Sequence, residues 1–414
     1  MTKAQTLNFT TIVLHIENLE LRKDTGQIPY HFGKIEGFDS TLVSYYYSKE
    51  NGSRSDPYLT LPVDTASVLK DYPYLNSEVP GLDIHFLPYK GRGRFYEKAV
   101  YDYLAQNAKQ IDCLNLFHFG MENIFYTILY KLKNPGGKVY LKLDINVPYY
   151  EGRANFFNAG VKFSGLKSWF VNHLLQPLFF KMVHTISAES AYGLKYFRDR
   201  FKVPENKMAL IPNGIDEESV KATGVIPLSF EEKENLIITV GKIGDHGKNN
   251  RMLLNSLADI DLKDWKVYFI GGVENGFEEE VNLFITKYPQ LKGKVFLTGR
   301  IDNPAALYSY YNRAKIFCLT SLHEGFPLSA CEAAYFGNYL ILTDTITCFP
   351  ELTNSGQFGS PVKIDDFLEL GKTMALLINC QQRLKNASEG MAEYAKKKLT
   401  WQAIIPELNK RLFG

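Results

Sequence analysis

Short apolar runs recur along this chain, with room for a helix between most of them, and that rhythm restricts the fold more than any other feature. One series comprises TTIVLHI (10–16), STLVSYYY (40–47), LNLFHF (114–119), KVYLKLDI (138–145), HTISA (184–188) and MALIPN (208–213). A second comprises LIITVGKI (236–243), WKVYFIGG (265–272), KVFLTGRI (294–301), KIFCLTS (315–321) and YLILTDT (339–345). Strands that alternate with longer helical stretches pair in parallel, with helices packed on the sheet. The polar, acidic stretch from Asp216 to Asn235 separates the two series and reads as a linker. The expectation is an α/β protein of two domains, residues 1–213 and 236–395, joined by 214–235. Ligands of such folds bind at the C-terminal edges of the strands, so a cleft between the two edges is the expected site.

A chain of 414 residues is long enough for two such cores. Its 47 Lys and Arg balance 45 Asp and Glu to a net charge of +2, which weighs against a dedicated nucleic-acid binder. Cys113, Cys318, Cys331, Cys348 and Cys380 are widely spaced and contain no CxxC. Neither a disulfide framework nor a zinc cluster is expected, and a reducing, cytoplasmic compartment fits. The run from Phe9 to Ile16 is broken by Thr and His and reads as a first strand rather than a signal segment. No run approaches the ~20 apolar residues of a membrane span.

The segment TSLHEGFPLSACEAAYFGNYLILTDT (320–345) carries the most chemistry. A strand ends in the loop HEGF, and Pro327 stands where a helix begins. Glu324 then lies on the loop and Glu332 on the helix, which stops near Gly337 and Asn338. The backbone N–H groups of Phe326 and Leu328, with the helix dipole, suit a phosphate. Two glutamates eight residues apart could equally be solvated surface groups; the surrounding strand–loop–helix–strand pattern argues otherwise.

Glu324 to Glu332 resembles the E-x7-E motif of the retaining family-four glycosyltransferases of the GT-B fold. The segment VGKIGDHGKNNRMLL (240–254) resembles that family's strand–loop–helix with two cations six residues apart, here Lys242 and Lys248. LTGRIDNPAALYSYYNRAKIFCLTS (297–321) resembles the following strand, helix and strand, and IPNGID (211–216) the approach to the linker. The resemblance covers nearly all of 184–352 and is weaker over the first 180 residues. It implies two Rossmann-like domains facing across a cleft, with the N-terminal one holding the acceptor and the C-terminal one the nucleotide sugar. It also implies that KKKLTWQAIIPELNKRLFG (396–414) is a terminal helix packing back on the N-terminal domain.

The resemblance implies roles as well. Lys242 and Lys248 would neutralise the diphosphate leaving group, Glu324 would face the donor sugar or its cation-like anomeric carbon, and Glu332 would take the ribose hydroxyls. The backbone at Gly325, Phe326 and Leu328 would meet the phosphates, and that around Arg300 and Ile301 the base. Gly26, in a loop after the first strand, would let backbone approach the diphosphate; a plain turn glycine is the alternative. Where the family often has His followed by Asp, this chain has Leu143 and Asp144, and Asp144 becomes a candidate contact for sugar or acceptor. His118 ends the preceding strand and could serve the cleft or simply the fold.

The expected activity is retaining transfer of a sugar from a nucleotide diphosphate, UDP first among candidates, to an acceptor hydroxyl in cell-surface glycan synthesis. No cofactor or metal is expected: Asp259 and Asp261 spell D-x-D but fall away from the cleft. The acceptor class is a glycan or lipid-linked glycan. The rivals are an epimerase or phosphorylase on the same scaffold and a non-catalytic partner subunit. Finally, Leu166, Trp169, Phe170 and Leu174 recur at helical spacing near Lys162, Lys167 and Lys181, with Pro177 set to end or kink the helix. That stripe, within residues 160–182, either packs on the N-terminal sheet or faces a lipid-linked acceptor or a membrane surface, at the inner face.

Overall fold

A computed structural model describes residues 6–46, 64–145, 147 and 169–414. The first domain is built on β1 (Asn8–His15), β2 (Asp39–Tyr45), β3 (Asp83–Leu87), β4 (Cys113–Phe117), β5 (Lys138–Lys142), β6 (Thr185–Ala188) and β7 (Met208–Leu210). They form a parallel sheet in the order β3-β2-β1-β4-β5-β6-β7. The second domain holds β8 (Leu236–Val240), β9 (Lys266–Ile270), β10 (Val295–Leu297), β11 (Ile316–Leu319), β12 (Tyr339–Thr343) and β13 (Gly359–Val362). Their order, β10-β9-β8-β11-β12-β13, repeats the pattern of the first sheet. In each sheet the order reverses beside the first strand, between β1 and β4 and between β8 and β11. The loops that leave these strands therefore diverge and open a crevice, which is where open α/β sheets bind ligands.

Two strands escape the apolar rhythm of the sequence, and both lie at sheet edges. In β3, DIHFL exposes or half-exposes every residue before Leu87. In β13, GSPV is short and carries Pro361, which a sheet tolerates at an edge because no neighbour needs its missing N–H. The central strands read clearly because helices cover both faces, so their residues are buried almost without interruption.

Among the described residues the chain crosses between domains twice, and the crossings are tied together. The N–H of Ile215 donates to the carbonyl of Leu399 at 3.0 Å, and the N–H of Trp401 donates to the carbonyl of Ile215 at 3.0 Å. The helix Gln381–Lys398 belongs to the second domain, and the terminal helix is Trp401–Phe413, five residues later than the sequence pattern suggests. Trp401, Ile404, Ile405, Leu408 and Leu412 then bury themselves with Phe9, Ile28 and Phe32 in one cluster of the first domain. Leu399 and Thr400 make the break, with Thr400 paired beside Ile215. The buried His31 sits at this junction, its Nε2 3.1 Å from Gln27 Oε1 and 3.9 Å from Asp216 Oδ1.

Candidate functional site: the cleft between the domains

Between the domains lies a cleft of about 800 Å³. From the second domain it is lined by Lys242, Arg300 and Ile301, and from the first by Arg22, Tyr74 and Glu78. Lys242 follows β8 and Arg300 follows β10, so both arrive from strand C-terminal ends. Arg300 Nε lies 2.6 Å from Asp302 Oδ1 in an exposed pair. A second cavity of about 280 Å³ adjoins it, lined by Leu328 and Glu332 among others. Arg22, Glu78 and Tyr308 border both cavities and mark the seam.

Lys248 occupies a different place from Lys242. Its loop is tied to the end of β11: Leu322 N–H donates to the Gly247 carbonyl at 2.8 Å, and the Thr320 hydroxyl to the Asn249 carbonyl at 2.9 Å. These anchors bring Lys248 Nζ to 2.6 Å from Glu324 Oε1. The Ser321 hydroxyl donates to the same oxygen at 2.7 Å. Next to Glu324, Gly325 meets the other domain. A Cβ built there would fall 2.5 Å from Asp144 Oδ1, so the glycine lets the Asp144 carboxylate rest directly against this loop. The loop after β5 and the loop after β11 are thus in contact across the cleft.

The helix Leu328–Tyr335 begins one residue after Pro327, and Gly337 takes the left-handed conformation beyond its end. Glu332 is buried on this helix and accepts the Tyr311 hydroxyl at Oε2, 2.7 Å away. Burial pushes its carboxyl above the usual range, opposed by Arg22 and by the tyrosine. Phe326 is buried among the core residues of the second domain, which leaves only its backbone for a ligand. Gly26 lies inside the helix Asp24–Glu36 rather than on a loop. A Cβ there would stand 2.6 Å from Leu21 Cα, so the glycine lets the turn after β1 fold onto the helix. Asp259 and Asp261 are exposed beyond the helix Asn250–Ser256, and among the described residues no group of His, Cys, Asp and Glu is disposed to hold a metal ion.

Residue patterns did not single out Lys142, Glu189 and Asp24, which gather on the first domain's side beside Asp144. Lys142 ends β5 fully buried, with Nζ 3.2 Å from Glu189 Oε1 and 4.0 Å from Asp24 Oδ2, and donates to the Ile211 carbonyl at 2.9 Å. Burial raises the Glu189 carboxyl to about 8, against the pull of Lys142, and raises Asp24 likewise. Asp144 adds to both through its charge. His118 is exposed at the end of β4 with φ 62°, its carbonyl held by Asn123 Nδ2 at 2.8 Å. A left-handed histidine at a strand end is uncommon and marks a shaped edge. The signal for Lys142 was present: a lysine in a strand that reads KVYLK must be buried if that strand is central.

Two Rossmann-like parallel sheets facing across a cleft define the GT-B fold. A glycosyltransferase from Rickettsia africae superposes with a TM-score of 0.67 over 98% of both chains at 12% identity, which speaks to the fold. Residues 226–398 match the family described as glycosyl transferases group 1. An α-1,4-N-acetyl-D-galactosaminyltransferase of Campylobacter jejuni that acts on a diNAcBac-PP-undecaprenol-linked glycan is 29% identical over 224 residues, 52% of this chain and 58% of that protein. A second enzyme of that organism, an N-acetylgalactosaminyltransferase named for a diphospho-undecaprenol substrate, is 25% identical over 59% of this chain and 64% of its own length. The matches therefore span about three fifths of these relatives. The second domain thus matches the group 1 glycosyl transferases, and the chain as a whole has the GT-B fold.

Proposed function

We propose that the protein is a retaining, metal-independent hexosyltransferase that moves a sugar from a nucleotide diphosphate, UDP, to a hydroxyl of a lipid-linked glycan. The observation that carries this reading is the interdomain cleft of about 800 Å³ with Lys242, Arg300 and Ile301 on its donor-side wall. Ile301 offers an apolar wall for a base, and the cations offer partners for phosphates. The acceptor class follows the two Campylobacter relatives, whose names specify undecaprenol-linked substrates.

In the reaction the bond from the anomeric carbon to the diphosphate oxygen breaks and a bond to the acceptor oxygen forms on the same face. The acceptor proton passes to the departing phosphate oxygen. Negative charge grows on the diphosphate as it leaves, and Lys242 and Lys248 neutralise it, each charge-assisted contact contributing ~1.5–3 kcal/mol. Glu324 lies against the donor sugar, its charge balanced by Lys248 until the phosphates claim that cation. Glu332 accepts the ribose hydroxyls. Asp144 stands where acceptor and donor sugar meet. The backbone at Gly325, Phe326 and Leu328 receives phosphate oxygens. The protein works at the cytoplasmic face of a membrane, touching it through the outer side of the segment from Trp169 to Met182.

Incubation with a panel of nucleotide sugars, reading nucleotide release and binding, tests the activity. One UDP-sugar should bind and release UDP, faster with a lipid-linked glycan, and the product should keep the donor's anomeric configuration by NMR. Failure to bind any nucleotide sugar, or release of no nucleotide, would sink the reading.

A further inference from the structure

Glu332 belongs to the second domain, but the cation that faces it belongs to the first. Arg22, in the turn after β1, brings Nη2 to 3.7 Å from Glu332 Oε1, the oxygen that Tyr311 does not occupy. The same guanidinium places Nε 3.3 Å from Glu78 Oε1 and lies 5.6 Å from the centre of the Tyr74 ring. One arginine thus stands between two carboxylates of different domains, at the seam of both cavities. Tyr308, Tyr311 and Cys331, kept neutral by burial, also lie near Glu332, and Lys23 and Asp216 line the same cavity.

We propose that Arg22 is a donor-positioning residue acting across the cleft: it keeps Glu332 ionised and aimed at the ribose diol, so the ribose site is complete only when the domains meet. The proposal rests on the reading of Glu332 as the ribose carboxylate. An ionised carboxylate offers two acceptor oxygens to a vicinal diol, whereas a protonated one surrenders an acceptor and half its strength. Burial drives Glu332 toward the protonated form, Arg22 is the largest opposing influence, and Glu78 pushes in the same direction as burial. Arginine suits the task because it stays charged when buried. Burial works against the Arg22 charge, yet Glu332 and Glu78 hold its pKa above the ordinary value.

UDP binding to the full-length protein, measured by calorimetry between about pH 6 and about pH 9, tests the proposal. Arg22→Gln should weaken UDP by about tenfold near neutrality and recover most of that loss at high pH, where base re-ionises Glu332. In a Glu332→Gln background the same change should add no further loss. A loss independent of pH and additive with Glu332→Gln, or no loss at all, would overturn the proposal. If Glu332→Gln itself binds UDP as the unaltered protein does, the ribose reading fails instead. Should Arg22→Gln not fold, Arg22→Lys decides: a lysine keeps the charge, so its acid limb must coincide with that of the unaltered protein, and a displaced limb overturns the proposal.

Discussion

Each domain sets a lysine against a carboxylate at the C-terminal edge of its sheet, and the two arrangements differ in burial. In the second domain Lys248 and Glu324 retain 30% and 16% of their side-chain exposure. In the first, Lys142, Glu189 and Asp24 retain 0%, 2% and 10%. A partly exposed pair contributes ~0–1 kcal/mol, because water takes over when it separates. It can therefore be exchanged for an incoming phosphate at little expense. A buried pair has no such substitute: separating it strands a charge in a poor solvent. The partly exposed pair of the second domain can exchange its partner for a ligand, and the buried cluster of the first domain holds an edge rigid against which Asp144 is placed.

The contrast predicts its largest effect at Lys142. Lys142→Met leaves Asp24 and Glu189 without their cation and should destabilise the fold by ~3–5 kcal/mol above pH ~8, where Glu189 is ionised, read as a lowered denaturant midpoint. A loss below ~1 kcal/mol would mean the cluster is already hydrated and the comparison fails. Lys248→Ala and Glu324→Gln should do the reverse. Each should leave the melting temperature nearly unchanged and lower the rate by ~30- to 1000-fold, the equivalent of ~2–4 kcal/mol of transition-state stabilisation. Unaltered kcat/KM in both variants would remove the pair from the chemistry.

His31 offers a third case, a buried group that stays neutral. Burial lowers its pKa to about 4, opposed by Asp216. Unfolded, it titrates near 6.5, so between those values the unfolded chain binds the extra proton. Stability from this residue is full above pH ~6.5, falls as pH drops toward ~4, and reaches a deficit of up to ~3 kcal/mol. His31→Gln should remove that part of the slope. Identical pH dependence of unfolding free energy in both proteins would show that His31 is hydrated or charged at the hinge.

Legibility followed the same division. The E-x7-E pattern and the two lysines fall within strand–loop–helix units, so residues adjacent in sequence already share one edge. Lys142, Glu189 and Asp24 meet only because β1, β5 and β6 stand in one sheet, and Arg22 meets Glu332 only because two domains close. No local pattern records such a meeting. Central strands announced themselves by continuous burial, whereas β3 and β13 lacked it as edges. Gly26 shows the converse limit: its presence was noticed, but the partner that requires it, the backbone of Leu21, lies in a turn that no periodicity marks.

The smallest expected effect on stability is at Trp169. Residues 148–168 fall outside the described portion, so Leu166, Lys162 and Lys167 do too, but the rest of the stripe is visible. Pro177 does not end the helix. It sits in the first turn of Gln176–Met182, after a wide π-type turn over Val171–Leu175, where its missing N–H leaves a bond unmade. Val171, Phe179 and Phe180 are buried against the first domain, whereas Trp169 (53%), Phe170 (47%), Leu174 (49%) and Leu178 (45%) are exposed. Neighbouring exposed aromatics and leucines with Lys181 nearby suit the interface of an anionic bilayer, where Trp and Phe anchor and each cation contributes ~1 kcal/mol. Trp169→Glu therefore changes stability by no more than ~0.5 kcal/mol, since it alters a solvated face. The same change should weaken sedimentation with anionic vesicles several-fold and leave turnover of a soluble acceptor analogue intact. Vesicle binding that is indifferent to Trp169→Glu would dissociate this face from the membrane, while unfolding would show that the indole is part of the core after all.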